Sequence, residues 1–320
     1  MILLTGATGF VGRAVLTQLM HQPGLSIRTY GRHAPAGLPI GTAHNVTHVI
    51  GEIGGAADYA TALSDIDVVI HCAAQTHVMR NLTHDGRDIY QDINVDGALN
   101  LAHQAIIAGV KRFIFISSIK VNGESTRSLQ PFNHKSSPAP EDNYGRSKQA
   151  AEDGLRRLVI NNCMELVIIR PPLVYGQSVK GNFSTLLKIA KKNLPLPLGA
   201  IHNQRSIVAL DNLIDLIITC IDHPNAANQT FLVSDDQDVS TTQLIKMMTL
   251  AVGKSPRLLS VPMGWLKILG KLTGKQAVIE RLCGNLQVDI THTKETLGWK
   301  PPISVEEGLR RCFVEDNKTC

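Results

Sequence analysis

The chain opens with Ile2-Leu3-Leu4-Thr5-Gly6-Ala7-Thr8-Gly9-Phe10-Val11-Gly12. A short apolar strand runs into a turn with glycines at positions 6, 9 and 12, and residues 12–21 then read as a helix. Such a turn lets the backbone approach a bound group closely. It also aims the helix N-terminus, with its unpaired amides and positive dipole end, at that group. A glycine-rich turn by itself is a common motif. At the first strand–helix junction of a βαβ pattern it points to a dinucleotide pyrophosphate. Gly6, Thr8, Gly9, Phe10, Val11 and Gly12 are therefore the first candidate cofactor-binding residues.

Working outward, strands are expected at 26–30, 47–50, 67–71, 112–117 and 166–169. One long helix is expected over 89–109, ended by Gly109, and another over 144–161. Strand–helix alternation implies a parallel sheet with helices on both faces, and near-continuous Val, Ile and Phe strands fit a sheet covered on both sides. The fold class is α/β, a Rossmann-type doubly wound parallel sheet. After Arg170 prolines interrupt the pattern, Leu210, Leu213, Ile214, Ile217 and Ile221 mark a helix face, and 230–233 reads as a further strand. From Ser240 onward short helices dominate. The expected division is 1–175 as the dinucleotide-binding domain, with 205–235 returning to it. Segments 176–204 and 236–320 then form a smaller, mainly helical substrate lobe. Segment 123–142 is loop-like and reads as a mobile cover.

Composition narrows the class. The net charge of +5 comes from dispersed pairs such as Arg156-Arg157, and aromatics make up 4% of residues, which argues against a nucleic-acid platform. A mild positive excess suits a polyanionic small ligand. The six cysteines include no C-x-x-C pair or metal-ligand spacing, so free thiols, no metal site and a cytoplasmic location are expected. A core strand straight after Met1 is read as leaving no room for a signal peptide. No apolar run approaches bilayer length. Residues 265–272, interrupted by Lys267 and Lys271, read as a packed amphipathic helix rather than a membrane element.

Two further stretches carry chemistry. Tyr144-Gly145-Arg146-Ser147-Lys148 places a phenol and an ammonium four apart on one helix face. A phenol with pKa near ~10 is a poor base at neutral pH, and a nearby ammonium would lower that value. Tyr144 is then a candidate proton carrier and Lys148 its partner. The second stretch, Arg28-Thr29-Tyr30-Gly31-Arg32 at the end of strand two, lacks the acid that would bond an adenosine 2′-hydroxyl. Arg32, with Arg13, suits a 2′-phosphate instead, so NADP(H) is favoured, with NAD(H) the alternative.

With these residues in place, nearly the whole chain resembles the extended short-chain dehydrogenase/reductase family of the UDP-glucose 4-epimerase type. Gly51-Glu52-Ile53 matches the family's adenine-contacting turn, and His71-Cys72-Ala73-Ala74 its loop beside the cofactor phosphates. Asn94 matches a position that buttresses the sheet. Ser117-Ser118-Ile119-Lys120-Val121-Asn122-Gly123 resembles the segment that supplies a hydroxyl to the reacting oxygen. The resemblance thus implies a Ser118, Tyr144 and Lys148 triad, with Lys148 also reaching the nicotinamide ribose and Pro171 beside the cofactor. It further implies a homodimer through a helix bundle that includes the Tyr144 helix. Ile119-Lys120 replaces the Asp-Glu of the family's 4,6-dehydratases, so that reaction is not expected. Lys120 also stands where the 3,5-epimerase/reductases carry Cys.

For the substrate the resemblance implies a UDP-sugar. Asn182 at a helix start and Arg205 would meet the diphosphate, with Arg281 as a second clamp. The backbone of the Leu196 and Leu198 segment would pair with uracil. Thr76, His77, Lys120 and Asn122 would lie near the sugar. Lys120 and Asn122 resemble a subgroup of bacterial surface-polysaccharide (O-antigen-type) enzymes that reduce UDP-4-keto-6-deoxy-N-acetylglucosamine to UDP-N-acetylquinovosamine. A 4-epimerase of UDP-N-acetylglucosamine or UDP-glucose is the alternative, and a lipid-diphosphate sugar is a further one. A non-catalytic NADP-sensing protein would typically lose the Tyr144/Lys148 pair.

Overall fold

The computed structural model describes residues 1–36, 45–76, 88–179, 181–274 and 276–313. The elements run β1 (Ile2–Thr5), α1 (Phe10–Met20), β2 (Ile27–Gly31), β3 (Val46–Ile50), α2 (Ala60–Leu63), β4 (Val68–His71), α3 (Gly97–Ile107), β5 (Arg112–Ile116), α4 (Asn143–Val159), β6 (Glu165–Arg170), β7 (Leu173–Tyr175), α5 (Asn182–Lys192), β8 (Ile207–Ala209), α6 (Leu210–Asp222) and β9 (Gln229–Leu232). Five helices follow without strands: α7 (Thr241–Ala251), α8 (Met263–Leu272), α9 (Gln276–Cys283), α10 (Thr291–Leu297) and α11 (Val305–Arg311).

Seven strands form one sheet in the order β3-β2-β1-β4-β5-β6-β9, every pair parallel. The chain leaves β1 toward β2 and β3 on one side and returns to β4 on the other. The order therefore reverses between β1 and β4, and a crevice opens at their carboxyl ends. Thr5 is registered with Tyr30 on one side and His71 on the other. Alternate residues of each strand feed opposite faces. Leu4, Ile70, Ile114 and Ile169 pack with Leu16 of α1 and Leu213 of α6. Leu3, Val69, Phe113 and Ile168 pack with Leu101 of α3 and Leu155 of α4. That two-sided burial is why these strands read as unbroken apolar runs.

Three details differ from the sequence reading. The helix expected over 89–109 begins as a π-helical turn, Tyr90–Asp96, before α3 takes over. Such a one-residue insertion re-aims side chains and recurs at functional sites. A second, two-stranded parallel sheet joins β7 to β8. Tyr175, Ile207 and Ala209 of that sheet sit in a separate core with Phe183, Leu244 and Leu309. Segment 123–142 is stitched down rather than loose. Thr126 and Phe132 donate backbone N–H groups to Asn285 and Gln287 (3.0 and 2.9 Å), and Asp289 donates back to Phe132 (2.8 Å).

Candidate active site

The crevice at the β1/β4 switch carries the glycine turn. Gly6 has φ +72°, a left-handed conformation costly for residues with a Cβ, and a Cβ there would lie 2.6 Å from the Ala73 nitrogen. A methyl at Gly12 would run into the Gly6 carbonyl. The Gly9 amide closes the turn onto that carbonyl at 2.8 Å. Gly9 caps α1 with no side chain, so the first-turn amides are left for a ligand. Thr8 and Gly9 are exposed, and Phe10 and Val11 partly so. A cradle free of side chains, facing a helix N-terminus, fits a dinucleotide diphosphate.

The β4 loop forms the other wall. Thr5 Oγ1 bonds His71 Nδ1 (2.7 Å) and accepts from the Ala73 amide (3.3 Å). Burial holds the His71 pKa down at about 3, with the Lys148 charge adding to it, so the ring is neutral. Burial pushes the Cys72 thiol up to about 12, which leaves it unreactive. Asn94, inside the π-turn, clamps the loop. Its side chain accepts from the Gln75 amide (2.8 Å) and donates to the Gln75 carbonyl (3.0 Å) and to Ser147 Oγ (3.0 Å). One buried amide thereby ties the cofactor loop to α4. Ala74 and Thr76 complete the wall, with the Thr76 carbonyl accepting from the Tyr90 hydroxyl at 3.5 Å. His77 lies outside the described residues. At the far end of the crevice, Arg32 is exposed just beyond β2. Glu52 and Ile53 follow β3, the Glu52 carbonyl accepting from Tyr30 Oη at 3.2 Å.

Ser118 follows β5 and Lys148 reaches its carboxyl end, while Tyr144 stands one helical turn before Lys148 at the start of α4. Ser118 Oγ caps a 3₁₀ turn by accepting from the Lys120 amide (3.2 Å), and its own proton stays available. Lys148 is 1% exposed. It donates to the Ile116 carbonyl (2.8 Å) and lies 4.4 Å from the centre of the Phe115 ring. Burial draws its pKa down to about 8, against the opposing pull of Cys72 and Glu152. The Tyr144 phenol is pushed up, by burial first and then by Asp142 and Tyr90. This corrects the expectation of a lowered phenol, because in the free protein desolvation prevails. The Pro171 carbonyl accepts from the Ile119 amide at 2.9 Å and so fixes the Ser118 turn.

Several substrate candidates have other partners. Asn122 is 1% exposed, and its amide is taken by Arg170 Nη1 (3.1 Å) and the Ser136 carbonyl (3.0 Å). It therefore shapes the site from behind rather than touching a sugar. Lys120 Nζ is held by Glu124 (2.9 Å) and Asp142 (2.5 Å). Burial lowers its pKa, but the two carboxylates outweigh that and raise it. Asp142 Oδ1 also accepts from the Gly145 amide (2.7 Å) as the α4 cap. Lys120 thus joins the Ser118 turn to the Tyr144 helix. The backbone of Leu196 is occupied by Arg257 (3.0 Å) and Leu259 (2.8 Å), and the Leu198 carbonyl by Thr242 (2.6 Å). The Leu196 N–H is therefore not open to uracil while this β-bridge stands.

Arg205 reaches the backbone at the end of α9. Arg205 Nη1 donates to the carbonyls of Arg281 and Gly284, both at 3.0 Å. Burial lowers the Arg205 pKa, opposed by the charge of Glu124. Asn182 begins α5 behind Gly181, which supplies no side-chain cap. The sequence reading missed the buried group that braces the triad. Glu152 accepts from Ser117 (2.5 Å), Arg170 (2.5 and 2.9 Å) and Arg156 (3.1 Å). An acid on the otherwise inward face of an amphipathic helix is the signal that could have revealed it.

Known proteins resemble this chain. The model of the NAD dependent epimerase/dehydratase family matches residues 2–234. The UDP-glucose 4-epimerase of Vibrio cholerae is 48% identical over 320 residues, covering 99% of this chain and 96% of that one. The N-acetyl-alpha-D-glucosaminyl-diphospho-ditrans,octacis-undecaprenol 4-epimerase of Escherichia coli O157:H7 is 28% identical, covering 97% and 93%. In fold, the crystal structure of UDP-glucuronic acid 4-epimerase from Bacillus cereus in complex with NAD matches with a TM-score of 0.76 at 20% identity, covering 97% and 96%. By that family match and the 48% identity, the chain is an enzyme of the NAD dependent epimerase/dehydratase family.

Proposed function

We propose that this enzyme moves a hydride at carbon 4 of a UDP-linked sugar. Its first substrate on this reading is UDP-4-keto-6-deoxy-N-acetylglucosamine, reduced to UDP-N-acetylquinovosamine. The observation that supports the reading is Lys148 bonded at the β5 end beside the Ser118 turn, with Tyr144 one helical turn away on α4. The nicotinamide, when bound, supplies or accepts the hydride. Ser118 donates to the sugar oxygen and orients it. Tyr144 passes a proton to that oxygen. Lys148 holds positive charge beside both the phenol and the ribose. Burial keeps Tyr144 protonated, and reduction of a ketone needs a proton donor. Arg205, bonded to the backbone at Arg281, and Arg281 itself suit a diphosphate by their chemistry.

Epimerisation of a UDP-sugar is the second reading, and the 48% identity to a UDP-glucose 4-epimerase favours it. The two differ in whether the cofactor is consumed. Absorbance at 340 nm decides between them, with NADPH or NADH mixed with the 4-keto sugar nucleotide. Stoichiometric loss of signal establishes the reductase. No loss, with NAD⁺ co-purifying and UDP-N-acetylglucosamine converting to its C4 epimer, establishes the epimerase.

The exposed Arg32 supports NADP(H). Replacing it by Asp removes a charge-assisted bond worth roughly 1.5–3 kcal/mol. The NADPH/NADH ratio of kcat/KM is then expected to fall at least about tenfold, measured in that assay; an unchanged ratio would show that Arg32 does not choose the cofactor. A second expectation follows from Lys148. Its folded pKa of about 8 lies below the ordinary 10.5, so the charged form is present below about 8 and lost above it. The value of kcat/KM, which reports the free enzyme, should therefore decline as pH rises through about 8. A flat profile to pH 10 would show that the ammonium is not required. A homodimer pairing α3 and α4 is supported by the open groove between them, lined by Leu99, Asn100, His103, Gly154, Arg157 and Leu158.

A further inference from the structure

Helix α8, expected as a packed amphipathic helix, is packed on one side and open on another. Leu266 is 3% exposed and anchors it, and α8 packs against α9. Trp265, Ile268 and Leu272 are 68%, 54% and 79% exposed. Their spacing of three and four residues places them on one face. Nothing among the described residues covers that face. Leu259 and Val278, flanking the helix in sequence, are also more than half exposed. A cluster of large exposed apolar side chains of this kind marks an interaction surface.

The charge around it selects the partner. Residues 239–279 contain Lys246, Lys254, Arg257, Lys267, Lys271 and Lys275 and not one Asp or Glu. Those six bases exceed the net charge of the whole chain, +5. Lys246, Lys254, Arg257 and Lys271 are all exposed. A second copy placed symmetrically on this face would oppose six bases with six, against the single Glu280 that lines the groove beside Ile268 and Lys271. A bilayer surface with anionic headgroups offers negative charge over an apolar interior, which matches both properties. No described helix is long and apolar enough to cross a membrane, so the contact is one of lying on the surface.

We infer that α8 is a membrane-docking element that seats Trp265, Ile268 and Leu272 in the headgroup layer of an anionic phospholipid bilayer, with the acid-free basic segment around it supplying electrostatic attraction. Helix α9 leads from α8 into Arg281 and Gly284, whose carbonyls hold Arg205. Docking therefore sets the diphosphate end of the proposed site near the membrane surface.

The test uses the full chain and vesicles, without sugar or cofactor, so its outcome is separate from that of the hydride-transfer reading. Flotation is compared on phosphatidylglycerol/phosphatidylethanolamine vesicles and on phosphatidylcholine vesicles. Trp265 is exposed and Trp299, the only other tryptophan, is 5% exposed, so emission reports on α8. The expected result is partition to the anionic vesicles at least about tenfold above phosphatidylcholine, with a blue shift, both weakened by salt. Trp265→Ser with Leu272→Ser should lower partition at least about tenfold. Lys271→Gln should lower it about fivefold. Both changes are at exposed positions, so the melting temperature and the rate on a soluble substrate should stay at wild-type values. Equal partition to both vesicle types, partition unaffected by the double variant, or a dimer in light scattering that the double variant dissolves without any flotation of the wild type would each overturn the proposal.

Discussion

Tyr144→Phe is expected to lower kcat by about 10²–10⁴-fold, the range for losing a positioned acid–base group. The change should leave the fold intact. The Tyr144 hydroxyl has no hydrogen-bond partner among the described residues, so deleting it strands no donor or acceptor of theirs. The aromatic ring is retained. Binding of the dinucleotide should persist as well, because the glycine cradle and Lys148 are untouched. The measurement is steady-state turnover beside cofactor titration and thermal melting on the same preparation. A variant retaining a tenth of wild-type turnover would show that another group carries the proton. It would also revive a role for this chain as a sensor rather than a catalyst.

Glu152→Gln should destabilise the protein by about 3–5 kcal/mol, the cost of leaving a buried charge uncompensated. Glu152 and Arg170 are 1% and 4% exposed and share two hydrogen bonds. The amide cannot neutralise the guanidinium, and at least one of its ends would point an N–H at Arg170 or Ser117. The damage should also reach the active site. Arg170 holds Asn122, Asn122 holds the Ser136 carbonyl, and Ser117 adjoins Ser118. Burial raises the Glu152 pKa, but Arg170 and its other partners prevail and the value is lowered. The contribution is therefore complete above the ordinary carboxylate range and lost only as pH falls through the depressed value. Urea unfolding with an unchanged m-value is the check. A loss below about 1 kcal/mol would mean that solvent reaches Arg170 and screens it.

The legible parts of the site were those encoded by local spacing. Gly6, Gly9 and Gly12 lie within one turn of chain, and Tyr144 and Lys148 within one turn of helix. Each group is therefore recognisable without knowing what packs on it. The triad's environment was not legible in the same way. Lys148 was expected to lower the Tyr144 phenol, yet desolvation, which depends on everything folded around the ring, raises it. Asn122 and Lys120 were placed on the substrate by their position in a motif. Their partners Arg170, Asp142 and Ser136 come from three other segments.

By itself the sequence determined a doubly wound parallel sheet, a dinucleotide cradle at its first turn and a tyrosine–lysine pair on a later helix. It could do so because apolar period, glycine spacing and helical spacing are properties of contiguous residues. The tertiary structure alone decided where hydrogen-bonding capacity goes. It paired the Leu196 backbone with the chain's own segment 257–259 and gathered four bonds on Glu152. It also left the apolar face of α8 turned outward. Those outcomes depend on residues far apart in the chain competing for the same polar groups and the same buried area, and no local pattern records who wins.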